Sequence, residues 1–532
     1  MGMIGTVILY SYISPWTPIN SDSITYLRLA VEIQKGSWHI DPWIRGVTYS
    51  TTPLYPAFVA LMEWVIPGFD IAGTLVSILA ASVMVIPLFL LARHFYGEKV
   101  AWVAIPLTVL NPWYLRYGSL ILTESLFSLF FLSAIFLTLW ALTRNSPLPW
   151  FFAGVMGGAA WMTRDAGIIL PFLSILWFAI RMWKDKWPVP NIIKNGVPLI
   201  AGILLIYIPF KIVMTLDYKG IPDLPKGGIA FQILMPDLRD FMSRERYFGG
   251  LTKDGTEYTF IEAQRKSPHL ADVLRHWDWV IQRFGHNLDE VGKSIGRVLG
   301  VVLLVLVSLG VFRHNSLDRE NKVEFPNVLL FLGSYVLSCL LFYVFAGGFT
   351  GAIGPERYLA PLIPIGGIWA SVGIFECAQR VGIKYLKKVV ISMCIGIILI
   401  VYLPDMKQVE QLYRGEMEDA SFSKEAGKRL HELSQSYGMD DIVVMARKPF
   451  LPYYAGAYWF MLPYGEYQEI IRFARFRNVD FLYLTKQSIS FRPNLAFLMN
   501  SRASFPDLDR VLYQIDKKNP EELLTVVYRV KY

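Results

Sequence analysis

The sequence predicts a mainly α-helical polytopic membrane protein with about eleven transmembrane helices and a small C-terminal extracytoplasmic α/β domain. Three observations lead to this class. The chain is 54% hydrophobic and only 18% charged, with a mean hydropathy of +0.39, whereas soluble globular chains carry about a quarter charged residues. Its apolar residues form blocks long enough to cross about 30 Å of hydrocarbon. Its Lys and Arg residues gather in alternate loops between these blocks.

The apolar blocks approach the roughly 20 residues that a helix needs to span a bilayer. The predicted spans are residues 3–15, 71–92, 100–118, 124–142, 149–163, 166–180, 196–214, 297–312, 326–347, 358–378 and 388–404. The first has no small-residue cleavage site, which favours a retained signal anchor. Cys339, Cys377 and Cys394 fall inside apolar blocks, which indicates buried thiols rather than a disulfide framework.

The positive-inside rule assigns the orientation. If the N-terminus is cytoplasmic, the cytoplasmic loops carry Arg93, Lys99, Arg144, Arg181, Lys184, Lys186, Lys194, Arg313, Arg319, Lys322, Arg380, Lys384, Lys387 and Lys388. The short outward loops carry only Arg116, Arg164 and Arg357. Topology therefore explains the net charge of +8 better than a nucleic-acid partner, which would need one basic patch.

This orientation predicts a multi-pass protein of the cell membrane, in contact with membrane lipid, with two domains. Residues 1–404 form a transmembrane domain with outward loops 16–70 and 215–296, and residues 405–532 form the extracytoplasmic domain. The loop segments Pro53–Pro67 and Leu270–Phe284 are apolar or amphipathic and too short to span. Both are typical of helices lying in the membrane interface, with ordinary loop packing as the alternative.

After Pro404 the chain alternates helical and strand patterns. A charged helix is predicted near Glu418–Tyr437, then a strand at Asp441–Ala446, a helix at Glu466–Phe476, and strands at Val479–Leu484 and Leu524–Val530. The segment contains no glycine-rich phosphate loop and no CxxC pair. A structural or acceptor-docking role is therefore expected for it.

Charged residues at the ends of apolar blocks mark candidate functional sites, because such charges need a partner or a water-filled cavity. They are Asp22, Glu124, Arg164, Asp165, Glu356 and Arg357. Although the spans alternate in direction, the assigned topology places all of them on the outer side. One outward-facing polar site is the simplest account.

Each of these residues also has a structural alternative. Asp22 could cap the helix that begins near Ile24. Glu124 could cap the fourth span or pair with Arg116. Arg164 and Asp165 could neutralise each other, and Arg357 could reach lipid phosphate. The histidines show no metal-ligand spacing, since His269 and His276 lie on a predicted amphipathic helix.

The residues around these charges resemble a known superfamily. A short first span followed by Asp22, Tyr26 and Ala30, then TTPLYPAF, NPWYLRYGSLILTESLF, TRDAGIILP and ERYLAPLIP, is similar to the integral-membrane GT-C glycosyltransferases. The similarity is greatest to the branch that contains the protein O-mannosyltransferases and the lipid A aminoarabinose transferase. It covers approximately residues 15–370.

The resemblance implies transfer of a hexosyl or pentosyl unit from a polyprenyl-phosphate sugar donor to an outer-face acceptor, with inversion. Asp22 matches the first-loop acid and is the candidate catalytic base. Glu124 takes the place of a second acid, which would position the acceptor or the base. Arg164 and Arg357 match basic positions that would bind the donor phosphate. Four neighbouring residues are further site candidates: Tyr26, Asp165, Glu356 and Tyr358.

The sequence departs from the family pattern in two places. Relatives carry Lys or His before the first-loop proline, where this chain has Thr51 and Thr52; Arg45 is the candidate substitute. Ser23 follows Asp22, unlike the adjacent Asp-Glu of the protein mannosyltransferases, so a protein acceptor is not favoured, although the acceptor stays open among glycolipid, glycan and protein.

No cofactor is required by this prediction. A divalent cation stays possible, but Asp22 and Glu124 are too few ligands for a protein-built site. The main alternative function is a secondary transporter, which would carry its charges near the middle of the bilayer and show internal repeats. A non-catalytic scaffold is the third.

Overall fold

The structure is a computed structural model that describes residues 21–38, 52–144, 146–217, 246, 249–259, 277–313, 327–346, 356–380, 384–517 and 519–532. Within these residues the helices preceding the first strand are α1 (Ser21–Gln34), α2 (Leu54–Glu63), α3 (Phe69–Val83), α4 (Val85–Tyr96), α5 (Glu98–Val109), α6 (Pro112–Ser119), α7 (Glu124–Arg144), α8 (Pro147–Thr163), α9 (Ile169–Lys184), α10 (Val189–Asp217), α11 (Trp277–Arg313), α12 (Val328–Ala346), α13 (Glu356–Leu359), α14 (Ile363–Gln379) and α15 (Lys384–Ser436). Short 3₁₀ turns, Asp165–Ile168 and Ala360–Leu362, precede α9 and α14.

The predicted helical membrane protein is confirmed. In the part of the chain that the structure describes, 7 helices are long and apolar enough to cross a membrane: Phe69–Tyr96, Glu124–Arg144, Asp165–Lys184, Val189–Val213, Val280–Phe312, Val328–Phe345 and Glu356–Gln379. The predicted spans 149–163 and 388–404 are helical but shorter than these. The predicted span 3–15 lies outside the described residues.

The predicted span 100–118 is divided into two helices. Helix α5 ends at Val109, and the Asn111 side chain accepts hydrogen bonds from the backbone N–H groups of Trp113 and Tyr114, which caps α6. Pro112 occupies the first turn of α6, where its missing N–H is tolerated. The cap and the proline together start a second helix inside the stretch that hydropathy alone predicts to be one continuous span.

Two helices are longer than the sequence patterns predict. Helix α11 joins the amphipathic segment from Trp277 to the predicted span 297–312 and bends at Gly300, whose φ is 69°. The Val298 carbonyl beside this bend accepts a hydrogen bond from the Asn111 side-chain amide at 2.9 Å. Helix α15 passes through Pro404 and unites the last predicted span with the charged helix that follows.

Glycines let two pairs of helices pack closely. A Cβ at Gly154 of α8 would lie 2.2 Å from the Leu199 carbonyl oxygen of α10. A Cβ at Gly310 of α11 would lie 1.9 Å from the Trp369 carbonyl oxygen of α14. Small residues at such contacts allow backbones to approach in membrane helices. The apolar window of Glu356–Gln379 is 83% buried, against 17% for that of Val189–Val213, so α14 is central and α10 peripheral.

Helix α2 confirms that Pro53–Pro67 contains a helix too short to span. Tyr55 and Val59 are buried on one side, whereas Leu61 and Trp64 are exposed. A helix with one buried and one exposed apolar face suits the membrane interface. The depth of α2 in a membrane stays a prediction. Of the second amphipathic segment, residues 277–284 are helical and residues 270–276 lie outside the described part.

The C-terminal segment forms the predicted α/β domain around a five-stranded sheet of order β2-β1-β3-β5-β4. Its elements are β1 (Val443–Ala446), α16 (Phe450–Tyr454), β2 (Tyr458–Met461), α17 (Tyr467–Phe476), β3 (Phe481–Thr485), α18 (Lys486–Ser490), a 3₁₀ helix (Pro493–Met499), β4 (Leu508–Ile515) and β5 (Leu523–Val530). Strand β1 is parallel to β2 and β3, and β5 is antiparallel to β3 and β4. Strands β2 and β4 were not predicted.

The sheet domain packs against helix α1. Ile24 and Leu29 of α1 lie in one buried apolar cluster with Ala446, Phe450 and Leu451. At the start of α3, the Asp70 carboxylate accepts a hydrogen bond from the Tyr454 hydroxyl at 2.8 Å and pairs with Lys424 at 3.2 Å. The first turns of α1 and α3 are therefore held against the C-terminal domain.

Residues 249–259 also belong to this domain in space. Tyr258 is buried against Phe473, and Gly250 forms a parallel bridge with Tyr464. The Arg477 guanidinium donates to the Thr256 carbonyl at 2.5 Å. Part of the predicted outward loop 215–296 thus packs into the C-terminal domain. Such packing is expected if this loop and the C-terminal domain lie on the same side of the membrane.

Candidate functional site

Four of the predicted charged residues meet at one end of the helix bundle. Glu124 is the first residue of α7, and Arg164 directly follows the last residue of α8. These helices are antiparallel neighbours joined by a short connection, so the start of one lies beside the end of the other. Asp22 is in the first turn of α1, and Arg357 is in α13.

Their side chains form one continuous set of ion pairs. The Arg357 Nε atom donates to Glu124 Oε1 at 2.7 Å, and its NH1 atom donates to Asp22 Oδ2 at 2.8 Å. Arg164 NH1 lies 3.0 Å from the same Glu124 oxygen. Arg357 therefore bridges the two carboxylates, and Glu124 joins the two arginines.

Burial separates the two carboxylates. The Glu124 side chain is 0% exposed, whereas the Asp22 side chain is 33% exposed. A buried carboxylate needs ionic or hydrogen-bonded partners to remain charged. Glu124 therefore depends on both arginines and fixes them, while Asp22 still reaches the space outside the bundle.

Aromatic side chains surround the arginines. The guanidinium carbons of Arg164 and Arg357 lie 4.5 Å and 5.4 Å from the ring centroid of Tyr358. Tyr343 packs on Tyr358, with ring centroids 5.3 Å apart. Cations are attracted to such ring faces, more strongly where water is excluded. The two arginines are thereby held side by side.

Tyr26 lies one turn after Asp22 on α1 and is buried, with its ring 5.4 Å from that of Tyr55. Burial raises the pKa of Tyr26, and the Asp22 carboxylate raises it further. The phenol therefore stays protonated at neutral pH and can act only as a neutral hydrogen-bonding group beside Asp22.

Two described site candidates, Asp165 and Glu356, are not among the four clustered charges. Asp165 is exposed in the 3₁₀ turn before α9. Glu356 points elsewhere and pairs with Arg297 of α11 at 2.6 Å. Arg45 falls outside the described residues. The roles of Asp165, Glu356 and Arg45 in the site therefore stay predictions.

The observed pairs bear on the structural alternatives. Asp22 lies inside α1 rather than before it and binds Arg357, so capping is not its sole contact. Glu124 pairs with Arg164 and Arg357. Arg164 thus has a carboxylate partner other than Asp165, and Arg357 turns toward carboxylates within the protein.

Sequence reasoning missed two parts of the site. Tyr343 sits within an apolar block, where only its hydroxyl distinguished it from core residues. Thr52, at the position where relatives carry Lys or His, donates from its hydroxyl to the Thr163 carbonyl at 2.6 Å. This contact places α2 beside Arg164, a proximity that no local pattern signals.

The described residues contain no group of three or more His, Cys, Asp or Glu side chains able to hold a metal ion. In the cluster itself, both carboxylates contact guanidinium groups.

Comparison with known proteins gives one family match and several structural matches. Residues 50–212 match the sequence model of the dolichyl-phosphate-mannose-protein mannosyltransferases. This stretch contains Glu124 and Arg164. No curated protein matches the chain in sequence.

The fold is similar to solved membrane glycosyltransferases. ArnT from Cupriavidus metallidurans in the apo state matches with a TM-score of 0.56 and 11% identity, over 98% of this chain and 96% of that one. Its form bound to undecaprenyl phosphate matches with a TM-score of 0.55 and 11% identity, over 99% and 97%. The apo oligosaccharyltransferase of Archaeoglobus fulgidus matches with a TM-score of 0.54 and 12% identity, over 91% and 69%. At such identities the likeness concerns the fold.

Proposed function

We propose that this chain is a GT-C superfamily protein of the protein-mannosyltransferase and ArnT type, and that it transfers a sugar from a polyprenyl-phosphate donor to an acceptor at the outer face of the membrane. The observation that carries the proposal is the joint position of Asp22, Glu124, Arg164 and Arg357 at one end of the bundle. The matched ArnT structure with undecaprenyl phosphate supports a polyprenyl-phosphate carrier.

The arginines are assigned to the donor phosphate. An arginine offers five N–H donors in a planar fork that fits phosphate oxygens. Arg357 donates from two of its nitrogen atoms to Asp22 and Glu124. The four clustered side chains carry two positive and two negative charges. The phosphate of a bound donor would add negative charge to the cluster. This charge would attract the two guanidiniums toward the polyprenyl phosphate as it leaves.

Asp22 is assigned as the base. The acceptor oxygen or nitrogen attacks the anomeric carbon as the bond from that carbon to the phosphate oxygen breaks. Polyprenyl phosphate leaves with the bonding electron pair, Asp22 takes the acceptor proton, and the anomeric configuration inverts. Asp22 fits this role better than Glu124 because a third of its side chain is exposed, whereas Glu124 is fully enclosed.

Glu124 is assigned a positioning role. One of its oxygens contacts both Arg164 and Arg357, so it sets the spacing of the two guanidiniums. The four charges lie at helix ends rather than in the middle of spans, unlike the midplane sites that transporters use.

The outer-face location can be tested by cysteine labelling in a variant without native cysteines. We expect cysteines at Lys186 and Lys384 to be shielded from an impermeant thiol reagent applied to sealed cells, because the basic loops place them in the cytoplasm. Cysteines at Lys253 and Gln487, both exposed, should react. Labelling of the first pair would overturn the orientation.

The transfer reaction is tested with detergent-purified protein and a radiolabelled polyprenyl-phosphate sugar. Arg164→Lys and Arg357→Lys should each keep the charge but lose the fork, so the donor concentration for half-maximal transfer should rise about tenfold. Arg357→Lys should have the larger effect because a lysine cannot bridge Asp22 and Glu124 as the fork does.

Arg181→Lys is the matched control, since Arg181 pairs with Asp185 at the other end of α9. It should transfer at the wild-type rate. Unchanged donor dependence in both site variants would remove the arginines from the donor site. Absence of transfer from every polyprenyl-phosphate sugar tried with wild-type protein would refute the function itself.

A further inference from the structure

Helix α13 brings Arg357 and Tyr358 to the charged cluster, although it is only 4 residues long. One turn of helix is not stable by itself, because its formation fixes several residues for one hydrogen bond. Its position therefore depends on contacts with neighbouring helices. We infer that the ion pair between Arg297 and Glu356 holds α13 in place and so positions Arg357 for the donor phosphate. This inference rests on the glycosyltransferase function proposed above.

Glu356 and Arg357 hold α13 from two directions. They are consecutive residues, so their side chains leave the helix about 100° apart. The Arg297 Nε atom of α11 lies 2.6 Å from Glu356 Oε1. Arg357 instead donates to carboxylates of α1 and α7. The turn is therefore held between α11 on one side and the helices of the charged cluster on the other.

Burial makes the pair with Arg297 hard to exchange for water. The Glu356 side chain is 11% exposed, whereas that of Arg297 is 45% exposed. A nearly buried carboxylate needs a charged or hydrogen-bonding partner, so Glu356 stays beside the guanidinium. Arg297 also donates from NH2 to the Ser294 hydroxyl at 2.8 Å, one turn earlier. This second contact holds the guanidinium against its own helix and orients it toward α13.

The bend of α11 at Gly300 places Arg297 beside α13. Gly300 has a φ of 69°, a conformation that other residues rarely adopt. Just before the bend, the Arg297 carbonyl accepts from Trp113 Nε1 at 3.2 Å. The Val298 carbonyl accepts from the Asn111 side chain at 2.9 Å. Kinks occur where side chains enter the backbone ladder of a helix. The start of α6 thus fixes the bend, and α13 packs on both α6 and α11.

The first experiment measures the position of Arg357 without a ligand, as its rate of modification by phenylglyoxal in the detergent-purified full chain, read by mass spectrometry. The Arg357 side chain is 17% exposed in the intact protein. We expect modification to be about threefold faster or more in Glu356→Gln and in Arg297→Gln, because α13 loses its contact with α11.

Lys293→Gln is the matched control, since Lys293 pairs with Asp289 one turn before Arg297 on the same helix. It should leave the modification rate of Arg357 unchanged. A wild-type rate in both pair variants would overturn the inference, as would an equal acceleration in the control.

The second experiment measures the donor concentration for half-maximal transfer in a double-mutant cycle. Arg297→Gln and Glu356→Gln should each raise it about fivefold, and the double variant should raise it no further, because the two residues act as one pair. Arg297→Lys keeps a charge that can reach Glu356 and should stay close to the wild type. If Arg297 bound the donor itself, its loss would raise the requirement again in the Glu356→Gln background, which would overturn the positioning role.

Melting temperatures distinguish positioning from general stabilisation. A half-exposed pair contributes little to stability, so the pair variants should melt close to the wild type while their donor dependence changes. A clear fall in melting temperature with an unchanged donor dependence would overturn the inference. If the wild type transfers no sugar, the proposed function fails, while the phenylglyoxal measurement still decides whether Arg297 and Glu356 hold Arg357.

Discussion

Replacing Asp22 by asparagine should reduce sugar transfer about 10²-fold or more, the usual contribution of a general base. The amide retains the size of the carboxylate and caps a helix about as well, but it cannot take a proton from the acceptor. Turnover with a polyprenyl-phosphate donor is the measurement. Because the Asp22 side chain is partly exposed and asparagine keeps its size, the melting temperature should change little.

The control is Asp440→Asn, an exposed aspartate of the C-terminal domain, which should transfer at the wild-type rate. Normal turnover of Asp22→Asn would refute the base assignment even if the chain proves to be a glycosyltransferase. Normal turnover combined with a large loss in Glu124→Gln would move the base to Glu124.

Replacing Glu124 by glutamine should both abolish most transfer and destabilise the fold. Glutamine leaves Arg164 and Arg357 without their shared carboxylate in a closed environment, and removing one partner of a buried ion pair costs about 3–5 kcal/mol. The melting temperature should fall clearly, and the donor concentration for half-maximal transfer should rise because the guanidiniums lose their spacing.

The Glu356→Gln variant distinguishes the effect of burial on stability from the effect of losing one carboxylate charge. Its partner Arg297 is 45% exposed, so the released guanidinium can reach water, and this variant should lose less stability than Glu124→Gln. Equal melting temperatures for the two variants would show that the Glu124 pairs contribute no more than a half-exposed pair. A stable Glu124→Gln with unchanged donor dependence would contradict its positioning role.

The sequence by itself determined the membrane class and the approximate helices. Lipid is the environment that accommodates such long apolar blocks. In lipid, a helix satisfies the backbone N–H and C=O groups by internal hydrogen bonds. The helix starting at Glu124 and the one ending at Thr163 follow from this directly. The strands near residues 443–446, 481–485 and 523–530 were also predictable, since runs of branched and aromatic residues favour strands.

Some elements escaped prediction because non-local contacts create them. Strand β2 has only four residues and pairs with β1 across an intervening helix. Strand β4 changes register between Arg510 and Leu512, and a bulge breaks the two-residue alternation that would have identified it. The division at Asn111 depends on a side-chain cap, which hydropathy does not register.

For the site, the sequence singled out the four charged residues, whereas only the tertiary structure decided their partners. The sequence pattern alone allowed Arg164 to pair with Asp165 as readily as with Glu124. It also made Glu356 as good a candidate for the cluster as the four residues that form it. Packing of α7 against α8 brought Arg164 to Glu124, and α11 drew Glu356 toward Arg297. Ion-pair choice depends on distances of a few ångströms and on burial, and both are set by how the helices pack together.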